Sequence, residues 1–130
     1  MAPVALDADL VIAFLDAGDD QHERAADALR PVLAAGGALI LSASVYAEVL
    51  VRPLQRETDA KVDEFLDAIG ATVVAVDRAI ARRAAQLRAR HRSLRLPDAL
   101  SLATALLCDA DLLTLDHRLQ RVAQRERSSG

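Results

Sequence analysis

The sequence has almost no aromatic residues and almost no cysteine. Phe14, Tyr46 and Phe65 are its only aromatics, 2% of 130 residues with no tryptophan, so stacking of bases on aromatic platforms is not its main mode of binding. That excludes readers of the RRM and OB-fold types. Cys108 stands alone, which rules out an internal disulfide and a thiolate zinc cluster, and His22, His91 and His117 lack close metal-ligand spacing. A reducing cytoplasm is the expected compartment. The N-terminus has no basic stretch followed by a long apolar one, and the most apolar later window, residues 38–51, is broken by Ser42, Ser44 and Glu48. Neither a signal peptide nor a membrane span is expected. Lysine is scarce too: Lys61 is the only one, so nearly every cation is an arginine.

What remains is an aliphatic, charged chain, 52% apolar and 27% charged, of a length that suits one domain with one core. The formal net charge is only -3, but the signs are segregated. Between positions 7 and 27 stand Asp7, Asp9, Asp16, Asp19, Asp20, Glu23 and Asp27 against a single Arg24, whereas Arg82, Arg83, Arg88, Arg90, Arg92 and Arg95 crowd a later segment without an acid. An acidic pocket beside a basic rim is the implication.

Short β-prone apolar runs occur at 4–6, 39–41, 72–76 and 112–114, each followed by a helical pattern. Val62, Phe65, Leu66 and Ile69 recur at helical spacing, as do Ile80, Ala84 and Leu87, so one-sided helices should cover a sheet. Strands joined by crossover helices pair in parallel, which predicts an α/β sandwich with ligands at the carboxyl ends of its strands. Gly18 is expected to end the first helix, Gly36-Gly37 the second, and Gly70 a helix over 58–69. Pro31 should kink or end the second helix, and 52–57, with Pro53, reads as a turn. The domain is expected over 1–123, with 124–130 a polar, frayed tail.

Four acids occupy chemically informative places, and each has a plain structural alternative. Asp7 follows the run Val4-Ala5-Leu6 at the carboxyl end of the first strand; it or Asp9 would serve as a helix cap, but one cap needs only one acid. Glu48 is the only charge between Leu41 and Val51, with Arg52 one turn on as its bland partner. Asp98 follows Pro97 in the first turn of the most apolar helix, where the helix dipole alone would favour an acid. Asp116 follows the last strand as Asp7 follows the first, and would also serve as a cap, whereas Asp111 precedes that strand and belongs to the opposite edge.

Together these positions resemble the PIN-domain family, most closely the VapC-type toxin ribonucleases of bacterial toxin-antitoxin pairs. The stretch Leu94-Arg95-Leu96-Pro97-Asp98-Ala99-Leu100 followed by Ala110-Asp111-Leu112-Leu113-Thr114-Leu115-Asp116-His117-Arg118-Leu119 carries most of the likeness, supported by Leu6-Asp7-Ala8-Asp9 and Ala47-Glu48-Val49-Leu50. The resemblance implies a three-layer sandwich around a parallel sheet of four or five strands. It also implies that Asp7, Glu48, Asp98 and Asp116 form an acidic quartet holding Mg²⁺ or Mn²⁺, with Thr114 as a hydroxyl neighbour. Asp9 stands where the family usually has Asn, Ser or Thr, and no final strand is evident after Asp116.

Four converging carboxylates repel by roughly 4 kcal/mol per close pair at an effective dielectric near 20, and a hard divalent cation relieves this best. The reaction class that follows is phosphodiester hydrolysis by a metal-activated water. Asp7 and Asp98 are then the principal ligands, Glu48 and Asp116 act through waters, and Asp9 and Thr114 support them. Arg82, Arg88, Arg92 and Arg95 are candidate contacts to an RNA backbone. The resemblance further implies a VapB-like antitoxin and a homodimer. Two alternatives stand beside this reading: a catalytically inactive PIN-like binding module, and a haloacid-dehalogenase-type phosphatase using Asp7 and Asp9 in the opening Asp7-Ala8-Asp9-Leu10-Val11, which would need a well-placed lysine where the chain has only Lys61.

Overall fold

In the computed structural model, which describes residues 1–129, each of the first three strands is followed by a pair of helices and the fourth by one. The chain runs through β1 (Val4–Leu6), α1 (Ala8–Leu15), α2 (His22–Ala35), β2 (Leu39–Ser42), α3 (Ala43–Gln55), α4 (Asp59–Ala68), β3 (Thr72–Val74), α5 (Arg78–Arg90), α6 (Leu96–Leu107), β4 (Asp111–Leu113) and α7 (His117–Ser129). All strand pairs are parallel and the sheet order is β3-β2-β1-β4. The expected α/β sandwich is therefore present, with four strands.

Alternation along the strands divides the core into layers. Leu6, Leu41 and Leu113 point to the cluster formed with α1, α2, α3 and α4, while Ala5, Ile40 and Leu112 point to the other face, where α6 packs with α5 and α7. Helix α6 lies across β1, β2 and β4 and buries six consecutive-turn residues, Ala99, Ser101, Leu102, Ala103, Thr104 and Ala105. Its small side chains let it approach the sheet closely. Because β2 and β3 lie on one side of β1 and β4 on the other, the loops leaving β1 and β4 open a crevice at their carboxyl ends.

Several boundaries differ from the expectation. Helix α2 continues through Pro31 to Ala35, because the proline ring is exposed near the last turn and costs little more than one backbone hydrogen bond there. Helix α3 likewise carries Pro53 within its final turn, and the reversal falls later, at Arg56 and at Glu57 with φ of 58°. Helix α1 stops at Leu15, before Gly18, because the Asp16 carboxylate accepts the Gly18 N–H and turns the chain early. Gly36 and Gly70 do occupy the left-handed conformation just past α2 and α4, with φ of 70° and 67°.

The tail is the largest correction. Residues 124–129 are not frayed but continue α7, whose Leu119, Ala123 and Glu126 form one buried stripe; residue 130 lies outside the described residues. Glu126, only 4% exposed, occupies the stripe's third place because Arg83 and Arg90 of α5 and His91 clasp its carboxylate. Asp111 opens β4 opposite Val4, at the far edge of the sheet, and pairs there with Arg127.

Candidate active site

Asp7 directly follows β1 and occupies the cap position of α1, but its side chain makes no capping hydrogen bond. It is held instead by Thr114, which follows β4: the hydroxyl donates to Asp7 Oδ2 across 2.8 Å. The same hydroxyl lies 3.3 Å from both carboxylate oxygens of Asp9 and accepts the Asp116 N–H at 3.2 Å. Leu115 adds its own N–H to Asp9 Oδ1 at 3.4 Å. One hydroxyl thus gathers three acids from the ends of the two adjacent strands.

Burial is the main force on Asp7, which is 5% exposed and whose carboxyl is pushed above its usual 3.8, next by the charge of Asp9. Thr114 and Ser101, a buried hydroxyl of α6, act in the other direction by favouring the ionised form. Asp9 is also raised, first by burial and further by Asp116. Glu48 projects from α3 and Asp98 from the first turn of α6; both are raised by partial burial and then by the charge of Asp7. Asp98 has Arg95 at 3.5 Å, which relieves part of the repulsion.

The four expected acids and Asp9 therefore come from different elements to one edge and repel one another there. Among the described residues Glu48 forms no ion pair with Arg52, so its bland partner is not used. Asp116 does act as a cap, its Oδ1 accepting the N–H groups of Arg118 and Leu119 at 2.9 and 3.3 Å. The donor set is all oxygen, its burdened carboxylates favour a cation, and it contains neither cysteine nor histidine, which suits a hard divalent ion. Among the described residues no three of these side chains are drawn close enough to form a ready-made cage. The residues fit the ion in chemistry, and repulsion between the carboxylates opposes their closing without one.

Three groups that sequence reasoning missed support the site. Ser101 hid within an apolar helix, where a serine reads as filler. Arg24 of α2 reaches across the fold to donate to the Leu115 carbonyl at 2.8 Å and to His117 Nε2 at 3.0 Å, while Gln120 holds the Thr114 carbonyl at 2.9 Å. These contacts brace the loop that carries Thr114 and Asp116. Of the four candidate RNA contacts, Arg95 stands beside Asp98, Arg88 holds the Leu94 carbonyl, and Arg82 and Arg92 are exposed.

The PIN domain family model matches residues 4–125 of the chain, a span that contains all of these acids. This chain belongs to the PIN domain family. Several solved structures share the fold. A chain of a toxin-antitoxin complex from Klebsiella pneumoniae is 26% identical, with 87% of this chain and 86% of that one covered at a TM-score of 0.68. VapC20 of Mycobacterium tuberculosis, a toxin that cleaves the sarcin-ricin loop, is 19% identical over 91% of this PIN domain and 93% of its own chain, at a TM-score of 0.72. VapBC2 from Rickettsia felis, bound to a DNA fragment from its promoter, is 16% identical over 92% of each chain, at a TM-score of 0.71. No curated protein sequence matches significantly.

Proposed function

We propose that this PIN domain is a divalent-cation-dependent endoribonuclease of the VapC type, the toxin of a toxin-antitoxin pair. One observation carries the reading: Asp7 after β1, Glu48 of α3, Asp98 of α6 and Asp116 after β4 come to the same edge of the sheet, where the buried Asp7 burdens the charge of both Glu48 and Asp98, at a cost in stability that a purely structural role does not explain. Bound Mg²⁺ or Mn²⁺ would supply an activated water and neutralise charge on the scissile phosphate. Asp7 and Asp98 are assigned to hold the ion, and Glu48 and Asp116 to orient the attacking water. Thr114 favours the ionised form of Asp7 and aims it, and Asp9 adds negative charge beside it. Arg95 and Arg118, which line the same small cleft as Asp98 and Asp116, are placed to meet a phosphate on the substrate side.

An antitoxin partner is supported by the likeness to a chain from a toxin-antitoxin complex, and by a cavity of about 390 Å³ lined by Ile12, Leu15, Val49 and Val51 that reaches Glu48. A homodimer and a cytoplasmic setting belong to the same proposal; no helix among the described residues is long and apolar enough to cross a membrane. The phosphatase alternative finds little support, since Lys61 lies on α4, exposed and away from the crevice's lining residues. The deciding experiment incubates the protein with labelled RNA and with p-nitrophenyl phosphate, with Mg²⁺ or EDTA. RNA cleavage abolished by EDTA and by Asp98→Asn is the expected result. Dephosphorylation lost in Asp9→Asn, or no cleavage of any RNA, would overturn it.

A further inference from the structure

The basic residues of this chain are segregated in space as well as in sequence. Seven arginines and no acid lie between positions 78 and 95, and α7 contributes Arg118, Arg121, Arg125 and Arg127 with Glu126 as its only acid. Glu126 does not offset this charge at the surface, because it is 4% exposed and already clasped by Arg83, Arg90 and His91. Above it, α5 and α7 leave an open groove of about 640 Å³ whose lining includes Arg90, Arg121 and Arg125. Arg90 is half exposed there. Among the described residues neither Arg121 nor Arg125 belongs to an ion pair.

Helix α7 contributes to both the groove and the small cleft at Asp98 and Asp116. Arg118 lines the small cleft with Asp98 and Asp116, and its guanidinium holds the Ser93 carbonyl at 3.2 Å. Arg121 and Arg125 follow at i+3 and i+7, so the three fall on one face of α7 over about 10 Å. Arg95 and Arg90 run beside them at the two ends of the connection from α5 to α6. A row of forked cations leading away from the carboxylates matches the phosphates of a strand whose scissile bond lies at the acids.

We propose that the groove between the end of α5 and α7, lined by Arg90, Arg121 and Arg125, is a second phosphate-binding subsite that holds single-stranded RNA flanking the cleavage point. This rests on the RNA-cleaving reading of the acidic crevice. Its consequence is a dependence on substrate length: an oligonucleotide too short to leave the crevice gains nothing from the groove, while a longer one does.

The test measures binding of fluorescent single-stranded RNA, a 4-mer and a 15-mer, to the Asp98→Asn protein in Mg²⁺, which binds without cutting. The same protein carrying Arg121→Gln and Arg125→Gln is compared, with Arg30→Gln on α2 as a charge control. Thermal melting checks that each variant folds. The 15-mer should lose tenfold or more in affinity with the double replacement, its slope of log K against log salt should fall by about 1.4, at about 0.7 per phosphate contact, and the 4-mer and the control should change far less. Equal losses for both lengths, an unchanged salt slope, or a loss matched by the control would overturn the subsite. If the wild-type protein cleaves RNA while those results hold, the subsite alone falls; if it neither binds nor cleaves RNA, the nuclease reading falls and the subsite with it. Binding of polyglutamate through Arg121 and Arg125 with no RNA binding would overturn it in favour of an acidic protein partner.

Discussion

Thr114 and Asp7, 107 residues apart in the chain, are joined by a hydroxyl-to-carboxylate hydrogen bond of 2.8 Å that ties the end of β4 to the end of β1. The bond works against burial, which raises the Asp7 carboxyl and disfavours the ionised form that binds a cation. Replacing Thr114 with valine keeps the shape and removes the donor. Because groups supporting a metal ligand are worth 10- to 100-fold or so in affinity, Mg²⁺ titrated calorimetrically into Thr114→Val should bind about 10-fold or more weakly. Unaltered Mg²⁺ affinity would leave Thr114 with a packing role only.

Asp98→Asn should separate function from stability. Burial and the charge of Asp7 hold the Asp98 carboxyl above its ordinary 3.8, so at neutral pH its ionised form is a burden on the fold that the amide lacks. The variant is expected to lose RNA cleavage and yet melt a few degrees higher than wild type in EDTA at pH 7.5, with the difference shrinking as the pH falls toward the carboxyl's ordinary 3.8 and Asp98 takes up its proton. A variant that melts lower at both pH values would show that the Arg95 contact outweighs the repulsion.

Asp7, Asp9, Glu48 and Asp98 are all raised, and this fixes the sign of the metal's effect on stability. Groups with folded-state values above 3.8 to 4.5 contribute stability that is complete below those values and disappears as pH rises through the higher folded ones. The ion-free protein should therefore lose stability from this cluster as the pH rises above about 4. Saturating Mg²⁺ should restore it, raising the melting temperature most at pH 7.5 and least near pH 4. Equal stabilisation at both pH values would mean that the ion binds elsewhere.

The order of strands and helices was legible because apolar runs such as Val4-Ala5-Leu6 and the 62, 65, 66, 69 spacing report burial directly. Acids at the ends of β1 and β4 were legible for the same reason: the strand's end locates the crevice. What could not be read depended on partners distant in sequence. Arg24 is an ordinary surface residue on α2 until the fold brings Leu115 and His117 to it. Glu126 broke the apolar stripe of α7 and made the helix read as a polar tail, since its three partners lie 35 to 43 residues away. Proline at 31 and 53 carries a helix-breaking signal that tertiary packing near a helix end overrides.

Arg24→Ala should act on the site without touching it. Losing the brace on Leu115 and His117 lets the loop bearing Thr114 and Asp116 sample other positions, and misplacement of catalytic groups by ångströms costs up to about 100-fold in rate. The expected result is a kcat for RNA cleavage reduced roughly 10-fold, with KM little changed and the fold retained by circular dichroism. A change in KM alone would instead assign Arg24 to substrate contact.

Glu126 offers the opposite pH signature to the acidic crevice. Although burial disfavours its charge, hydrogen bonds from His91, Arg83 and Arg90 more than offset this and hold its carboxyl below the ordinary 4.5. A depressed group contributes stability that is present above its unfolded value and is lost as pH falls through the folded one. Glu126→Gln keeps the shape but leaves Arg83, largely buried, without a counter-charge and takes the carboxylate away from His91. Because Arg90 remains half exposed and solvent screens part of the interaction, the cost should be about 1–3 kcal/mol. Chemical denaturation at pH 7 measures it, and the wild-type advantage should shrink below about pH 4.5. If the variant were as stable as wild type at pH 7, the clasp would be dispensable, and α7 would be held by Leu119 and Ala123 alone.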